Sequence, residues 1–499
     1  MVKVVDPRTP VIVGVGQADH RGDPGAEGVE PVELIARAAR AAAADSGGRD
    51  PLGALDAIRV VKLLSWRYRD PGRLIAERIG ARPRQSWYTT DGGQTPQALL
   101  NHTARDITAG DLDLALLCGG EAWRTRSAYR ARDEKPPWTR EDPDTPEAEP
   151  FGDPLDMIDA AEAAQGLVLP VQMYAIFEVA LRAAAGRSPA EHLAHLGRLW
   201  SGFSEVAAAN RHAWSRSPMT AEEVVAPTAA NRRIGYPYTL VMNSNNNVDQ
   251  AAALLVCSAE KAASLGVPRD RWVFPVAGAE ANDRAHVSPR RDLCSSPAIR
   301  AAGRALFTAA GVGPDDLDLV DLYSCFPSAV QIAAGELGLG ADRPLTVTGG
   351  MGFAGGPWNN YVTHGIATMA EALRAAPGSL GLCTGNGGFT TKHALGLYAT
   401  EPPSGGFRHA VTQAEADAEA GPARGVAPDD HDGPVTVEAY TVMHDRDGRP
   451  EVAIVAALLP DGRRTGATAR DDATMATLVG DEGVGRAARR HRDGRVELL

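Results

Sequence analysis

Residues 112–120 read LDLALLCGG, and a related stretch, SLGLCTGNGG, occupies 379–388. Gly119 in the first stretch and Gly385 in the second are 266 positions apart, and the leucines around them keep the same interval. An apolar run that ends in glycines is typical of a buried strand that stops at a turn. The long interval predicts a chain built from two related halves.

Helical patterns accompany the strand-like runs in both halves. An Ala-rich helix is predicted at 31–48, and its counterpart is predicted at 296–313. The run PVIVGVGQ at 10–17 predicts a first strand that is covered on both faces. Since helices and strands alternate, we predict βαβ units, a parallel sheet in each half and an α/β fold overall.

The first half carries an insertion that the second half lacks. Leu117 is followed by the next strand-like run only at Ala251, whereas its counterpart Cys383 is followed by such a run at His393. The inserted residues, at about 121–241, include tryptophans, a charged proline-rich segment and helical patterns. Because open α/β sheets bind ligands at the carboxyl ends of their strands, the insertion is expected to be a lid or ligand-covering subdomain.

The composition changes after the second half. Residues 403–433 are rich in Pro, Gly and acidic side chains, which predicts a linker. Beyond it, strand-like runs alternate with the turn signals RDGR and PDGR, which predicts a small antiparallel β domain. The predicted parts are the first half with its insertion, the second half, the linker and the β domain, at 1–274, 275–402, 403–433 and 434–499.

Composition disfavours several classes of protein. Lys and Arg number 51 against 63 Asp and Glu, and the resulting net charge of −12 disfavours a nucleic-acid binder. No apolar run is long enough to span a membrane, and the N-terminus lacks the pattern of a signal peptide, so a cytoplasmic protein is expected. The five cysteines form no CxxC pair, so we predict neither a disulfide framework nor a metal site.

Four segments at predicted strand ends resemble the thiolase superfamily. They are TTDGGQTP at 89–96, LYSCFPSAV at 322–330, GGMGFAGGPWNN at 349–360 and GLCTGNGG at 381–388. The resemblance covers about the first 400 residues and points to the branch called thiolase-like protein type 1, itself similar to sterol-carrier-protein-type thiolases. It implies duplicated βαβαβαββ halves in a layered α-β-α-β-α arrangement, with a C-terminal β domain like an oligonucleotide/oligosaccharide-binding (OB) fold.

Two catalytic groups of that family have no counterpart in this chain. The resemblance places the family's nucleophilic cysteine, whose thiolate accepts the acyl group, at Gly92. The histidine of the family's Gly-His-Pro motif falls at Gly356. The resemblance therefore implies an acyl-CoA site that has lost both its nucleophile and its imidazole.

Other parts of the family's site are retained. Cys383 and Gly385 match the family's Cys-x-Gly motif, in which the thiol is an acid/base group and the glycine N–H contributes to an oxyanion hole. Cys325 takes the cysteine position of the sterol-carrier-type HDCF motif, and its place before a predicted helix suggests a lowered thiol pKa. A structural role is the alternative for both thiols.

Asparagines precede the strand that follows the insertion. By resemblance they correspond to the segment that hydrogen-bonds the pantetheine part of coenzyme A, and a polar turn is the alternative. The residues concerned are Asn243, Asn245, Asn246 and Asn247.

Two functions fit this sequence. The first is an acyltransferase of the acetyl-CoA acetyltransferase type that acts on acyl-CoA without a covalent acyl-enzyme, with Cys383 and Cys325 as acid/base groups. The second is a non-catalytic protein that binds CoA thioesters or serves as a scaffold. No tightly bound cofactor is expected, coenzyme A or acyl-CoA is the expected ligand, and both a monomer and a homodimer stay open. A nucleic-acid role for the β domain, through Arg464 and the basic run at 486–495, is a weaker third reading.

Overall fold

The computed structural model describes residues 5–25, 28–340 and 342–499. Within these ranges the chain forms three β-sheets. Residues 1–4, on which the expectation about a signal peptide partly depends, lie outside the described residues. In the described part of the chain, no helix has both the length and the apolar character needed to cross a membrane.

The first half forms a six-stranded sheet. Up to the insertion its elements are β1 (Pro10–Asp19), α1 (Pro31–Ser46), β2 (Ala57–Val60), α2 (Pro71–Ile79), β3 (Gln85–Thr89), α3 (Thr95–Ala109) and β4 (Leu114–Ala122). The insertion adds α4 (Trp123–Ala131), β5 (Glu149–Phe151), α5 (Ala160–Ala164), α6 (Pro170–Ala184), α7 (Pro189–Ala209), α8 (Ala221–Val225), β6 (Arg233–Gly235) and β7 (Tyr238–Thr239). The half closes with β8 (Asp249–Ser258) and α9 (Ala259–Ser264). The strand order is β1-β8-β4-β2-β3-β5.

The second half forms a five-stranded sheet. Its elements are β9 (Phe274–Asn282), α10 (Pro297–Ala310), β10 (Leu319–Asp321), α11 (Pro327–Glu336), α12 (Gly350–Phe353), α13 (Tyr361–Ala375), β11 (Leu380–Gly387), β12 (Lys392–Ala399), β13 (Arg408–Val411) and α14 (Gln413–Ala420). The strand order is β10-β11-β12-β9-β13. In both halves the strand with the repeated leucines pairs antiparallel with a later strand of the same half, β4 with β8 after the insertion and β11 with β12 directly. The predicted duplication is therefore confirmed.

Helices and sheets alternate in five layers. Helices α3 and α13 touch strands of both sheets and form the central layer, while α1 and α2 cover the outer face of the first sheet and α10 that of the second. Strand periodicity decides which layer each side chain joins. Leu116 and Cys118 of β4 belong to the outer core under α1, whereas Leu117 belongs to the central core. The predicted α-β-α-β-α arrangement is thus confirmed.

The first helix of each half has the same boundary residues. Helix α1 begins at Pro31 and is followed by Gly47 with a φ of 64°, and α10 begins at Pro297 and is followed by Gly311 with a φ of 69°. Proline fits the first helical position because its missing N–H has no partner there, and glycine adopts the left-handed conformation that ends a helix. The repeat therefore includes local signals as well as the apolar pattern.

The stretch predicted as a linker, 403–433, differs from that expectation. Strand β13 pairs in parallel with β9, and α14 packs on α10, so the second half continues to Ala420. A four-residue edge strand and an eight-residue helix are too short to be stable alone, and tertiary contacts stabilise them instead. The acidic, Pro- and Gly-rich composition therefore predicts a linker and gives no sign of either element.

The C-terminal domain is a small barrel. Its elements are β14 (Gly433–His444), β15 (Pro450–Leu458), β16 (Arg464–Ala469), α15 (Asp472–Gly480), β17 (Ala487–Arg490) and β18 (Val496–Leu498). The order is β16-β15-β14-β17-β18, and a parallel bridge between Thr468 and Arg495 brings β18 beside β16. A five-stranded barrel of this kind is OB-like, as expected. Strand β6 of the insertion pairs with β14 and ties this domain to the first half.

Candidate active site

The loops predicted to form one site do lie together. Gly92 stands in the turn between β3 and α3, and its N–H donates to Asn359 Oδ1 at 3.1 Å. Asn359 is three residues after Gly356, so the two positions expected to hold the nucleophile and the imidazole share a hydrogen-bonded neighbourhood. Gly385 reaches the same turn, because a Cβ atom there would stand 2.8 Å from Gln94 Cα.

Gln94 fills the space beside Gly92. Gly92 has a φ of 148°, which L side chains rarely adopt, and a Cβ atom on it would stand 2.1 Å from Gln94 Oε1. A Cβ atom on Gly387 would also meet Gln94 Oε1 at 2.1 Å. Among the described residues this buried oxygen has no hydrogen-bond partner. The space beside Gly92, where the resemblance places the family's thiolate, is therefore filled by a neutral amide.

A polar segment of the first half fills the space beside Gly356. A Cβ atom on Gly356 would stand 2.0 Å from Ser244 Oγ and 2.9 Å from Asn246 Oδ1. The Gly356 N–H donates to the backbone carbonyl of Asn245 at 2.9 Å. An imidazole at this position would displace these groups, so the packing of this segment depends on a glycine at position 356.

The four asparagines differ in their surroundings. Asn243 Nδ2 donates to the carbonyl of Thr239 at 2.7 Å, and the Asn245 side chain accepts from the N–H of Asn247 at 3.3 Å. Asn246 Oδ1 accepts from Ser244 Oγ, and Asn247 is exposed. The structure thus places the segment against the loop of Gly356, and its role toward pantetheine stays a prediction.

The two retained cysteines are buried and protonated. Cys383 lies in β11, and burial raises the pKa of its thiol well above the ordinary value. Cys325 lies just before α11, beside the side chain of Tyr174, and burial raises its pKa to about 12. The expectation of a lowered pKa at Cys325 was wrong, because desolvation of the thiolate outweighs the adjacent helix N-terminus.

A cationic cleft opens at the carboxyl ends of β2 and β4. It has a volume of about 1110 Å³ and lies between the loop after β2 and the start of the insertion. Asp133, Glu134 and Glu141 also line it, but Glu141 accepts hydrogen bonds from Arg69 N and pairs with Arg73. The cations that line the cleft are Lys62, Arg67, Arg69, Arg126, Arg130, Lys135 and Arg140.

Most of these cations lack a carboxylate partner. Within the described ranges, no ion pair involves Lys62, Arg67, Arg126, Arg130 or Arg140. Unpaired cations gathered in one concave surface attract anions, and guanidinium groups match the geometry of phosphate oxygens. The cleft is therefore suited to a phosphorylated ligand.

An inner cavity continues from the cleft toward Gly92. Its volume is about 420 Å³, it shares Lys62, Arg67, Arg69 and Tyr88 with the cleft, and it reaches Asp91, the residue before Gly92. Lys392 Nζ lines this inner cavity and donates to the carbonyl of Asp91. Burial lowers the pKa of Lys392, and the nearby Asp91 offsets part of that effect. The amine of Lys392 is thus hydrogen-bonded to the residue that precedes Gly92.

Sequence reasoning missed the cationic cleft. Its residues come from KLLSWRYR at 62–69 and from RTRSAYRARDEKPPWTR at 124–140, and each segment alone resembles a solvated surface. The available signal was the density of arginines after two strands of the same sheet. Because β2 and β4 are neighbours, their carboxyl ends bring the two segments together.

Arg464 and Arg490 are engaged inside the protein. Arg464 is 3% exposed, pairs with Glu438 at 2.6 and 2.7 Å, and donates to the carbonyl of Ser288 at 2.8 Å. Arg490, in the basic run, is 2% exposed and donates to backbone carbonyls. Neither guanidinium is presented to a nucleic acid, so the third reading gains no support from these two residues.

Two duplicated α/β halves in five layers, with strand-end loops that converge beside an insertion, define a protein of the thiolase superfamily. Residues 413–495 match the family model described as the thiolase-like protein type 1 additional C-terminal domain. The crystal structure of a monomeric SCP2-thiolase like protein type 1 from Mycobacterium smegmatis is 32% identical, with a TM-score of 0.83. It matches over 99% of this chain and 100% of its own. This chain belongs to the thiolase-like protein type 1 family.

Curated relatives match over a shorter stretch. An acetyl-CoA acetyltransferase from Methanocaldococcus jannaschii is 30% identical over 143 residues, which is 28% of this chain and 34% of the relative. The benzoylsuccinyl-CoA thiolase subunit BbsB from Thauera aromatica is 29% identical over 130 residues, or 26% of this chain and 32% of the relative. The chain therefore matches about a third of the length of these curated relatives.

Proposed function

We propose that this protein binds a CoA thioester, with the phosphates of coenzyme A in the cationic cleft and the thioester directed into the inner cavity. The observation that carries the proposal is the group of unpaired cations in the cleft, which adjoins the cavity that reaches Asp91. Coenzyme A is a phosphorylated anion with a long neutral arm, and arginines and lysines bind phosphate through charge-assisted hydrogen bonds. The arm would lead from the cleft toward Asp91.

The bound thioester does not acylate the protein. Acyl transfer to a protein requires a thiolate or another activated nucleophile, and Gly92 provides none. Cys325 and Cys383 stay protonated because burial raises their pKa values. The ligand is thus held without a covalent intermediate and without a tightly bound cofactor. The five free cysteines suit a reducing compartment such as the cytoplasm.

Calorimetry tests the binding proposal. Coenzyme A, acetyl-CoA and pantetheine are titrated into the protein at low and at physiological salt. We expect both CoA compounds to bind more tightly than pantetheine, and added salt to weaken their binding, because phosphates supply the attraction. Intact-protein mass after incubation with acetyl-CoA is expected to be unchanged. Equal binding of pantetheine and coenzyme A, or a stable acetyl adduct, would overturn the proposal.

A second candidate function is catalysis on the bound thioester, which Lys392 favours. Its amine faces the inner cavity and has a pKa lowered by burial, so its neutral form is more accessible than that of a solvated lysine. A neutral amine can take a proton from the carbon beside a thioester carbonyl, a step that C–C bond formation at that carbon requires. This chemistry suits an acetyl-CoA acetyltransferase-like role without the family's cysteine.

Hydrogen exchange separates catalysis from binding alone. Acetyl-CoA is incubated with the protein in deuterated water, and deuterium in its methyl group is followed by NMR. Catalysis by Lys392 predicts exchange above the buffer rate, loss of that exchange in Lys392→Met, and no change in Lys261→Met, whose side chain lies on α9 outside the cleft. Exchange at the buffer rate would eliminate this second function.

A further inference from the structure

Three potential ligands meet at the contact between the two halves. His102 lies on α3, Glu280 on β9 and His409 on β13, and one side-chain atom of each lies within 4.8 Å of the other two. His409 Nε2 is 2.8 Å from Glu280 Oε1, and His102 Nε2 is 3.6 Å from the same oxygen. The side chains of His102 and Glu280 are about a fifth exposed, and that of His409 is buried, so ions can reach the group.

The Glu280 carboxylate lies between the two imidazoles. Asn101 Nδ2 also donates to Glu280 Oε1, at 3.2 Å, so two donors already use the two lone pairs of that oxygen. His102 Nε2 lies 3.6 Å from the same oxygen, beyond hydrogen-bond distance. A cation between the three atoms would instead accept a lone pair from each imidazole and from the carboxylate.

The spacing also suits a small divalent cation. Ligands of a tetrahedral zinc ion lie about 2.1 Å from the metal, and therefore about 3.4 Å from one another. The two nitrogen-to-oxygen distances, 2.8 and 3.6 Å, fall on either side of that value. Two imidazoles and one carboxylate are a donor set that zinc accepts, with a water as fourth ligand.

We propose that His102, Glu280 and His409 bind a zinc-class divalent cation. Such an ion would join α3 of the first half to β9 and β13 of the second. His102 is eight residues beyond Gln94, about 12 Å along the helix from the Gly92 turn. The ion therefore stabilises the position of α3 and takes no part in chemistry at that turn. The inference is independent of the proposed function.

Metal analysis with thermal unfolding tests this site. The full-length protein is treated with a chelator, dialysed and titrated with Zn²⁺, and bound metal is measured by elemental analysis. We expect one equivalent of Zn²⁺ and a midpoint temperature that rises with Zn²⁺ concentration, because a ligand that binds only the folded state stabilises it. His102→Gln and His409→Gln are expected to lose both effects, since glutamine keeps polar contacts but not the imidazole.

His491→Gln is the matched control. His491 also contacts a glutamate, Glu497, at 3.2 Å on the surface of the C-terminal domain, without a second histidine. This variant is expected to bind Zn²⁺ like the wild type. Co²⁺ titration of the wild type gives a second readout, because the visible absorption of bound Co²⁺ reports nitrogen ligands. This measurement uses only the wild type, so it holds even if a variant fails to fold. The proposal is overturned if the wild type binds neither metal, or if the double variant of His102 and His409 binds as the wild type does.

Discussion

Gln94 Oε1 lies 2.1 Å from the position that a Cβ atom on Gly92 would occupy. The glycine and the glutamine two residues later therefore share one small volume. A glycine at position 92 and the Gln94 side chain beside it are therefore coupled features of the turn that begins α3. The same relation holds between Gly356 and Ser244 Oγ, which would stand 2.0 Å from a Cβ atom on Gly356, so local packing fills the space at both positions.

Restoring the thiol at position 92 is expected to destabilise the protein. In Gly92→Cys the new Cβ atom meets Gln94 Oε1 and the backbone keeps a φ that favours glycine, which costs about 1–3 kcal/mol. Adding Gln94→Ala removes the clash but not the backbone strain, so the double variant should recover part of the loss. Urea unfolding of both variants measures this. Equal stability of Gly92→Cys and the wild type would contradict the described packing.

Arg464 is expected to be important for the contact between the C-terminal domain and the second half. Its guanidinium is buried, pairs with Glu438 and donates to the carbonyl of Ser288. Arg464→Met leaves Glu438 without its cation and should lower the free energy of unfolding by about 3–5 kcal/mol. Arg463→Met is the control, because Arg463 pairs with Asp461 at the exposed surface, where such pairs contribute little. Similar losses in denaturant unfolding for both variants would refute this role.

Glu121 is expected to make stability depend on pH. It is 1% exposed and accepts hydrogen bonds from the N–H groups of Leu64 and Ser65 in the wall of the cleft. Burial raises its pKa from 4.5 to about 7, although these hydrogen bonds oppose the effect. The folded state therefore holds its proton up to about pH 7, whereas the unfolded state releases it near the ordinary value.

The sign follows from this difference. As pH rises from 4.5 to 7, the unfolded state loses the proton first, so the contribution of Glu121 to the free energy of unfolding falls, by about 3 kcal/mol in all. Glu121→Gln cannot ionise and should lack this fall, while the exposed Glu134→Gln should behave like the wild type. Chemical unfolding at several pH values measures the difference. A constant difference between wild type and Glu121→Gln would contradict the raised pKa.

The protein is expected to be a monomer in solution. Strand β5 pairs with β3 and forms the outer edge of the first sheet, so β3 is not free to pair with another copy. β5 is three residues long and contains Glu149 and Pro150, and short strands with charge and proline resist edge-to-edge association. Light scattering after gel filtration should give a mass near 52.5 kDa. A mass of twice that value would contradict the prediction and would show that two copies associate through a surface other than the edge at β5.

Much of the fold was predictable because its strongest signals are local. The repeated leucines of β4 and β11 lie in fully buried strands, whose continuous apolar sequence is easily recognised, and the helices carry proline and glycine at their ends. Strand β13 and helix α14 were missed because contacts made across the fold stabilise them.

The candidate site was predictable only as a set of loops. Strand ends identified the positions 92, 325, 356 and 383, but not what fills the space around them. The raised pKa of Cys325 depends on burial, which the sequence does not reveal, and the cationic cleft depends on β2 and β4 being neighbours. His102, Glu280 and His409 are far apart in the chain, so no spacing indicated a cation site.

Calorimetric binding of acetyl-CoA to a cleft variant tests the central claim most directly. Lys62→Met combined with Arg130→Met removes two cations of the cleft, whereas Arg198→Met removes an exposed arginine of α7 outside it. The account predicts a dissociation constant at least about tenfold higher for the double variant, which is a loss of about 1.4 kcal/mol of binding free energy, and no change for the control. Unchanged affinity in the double variant, or no measurable binding by the wild type, would contradict it.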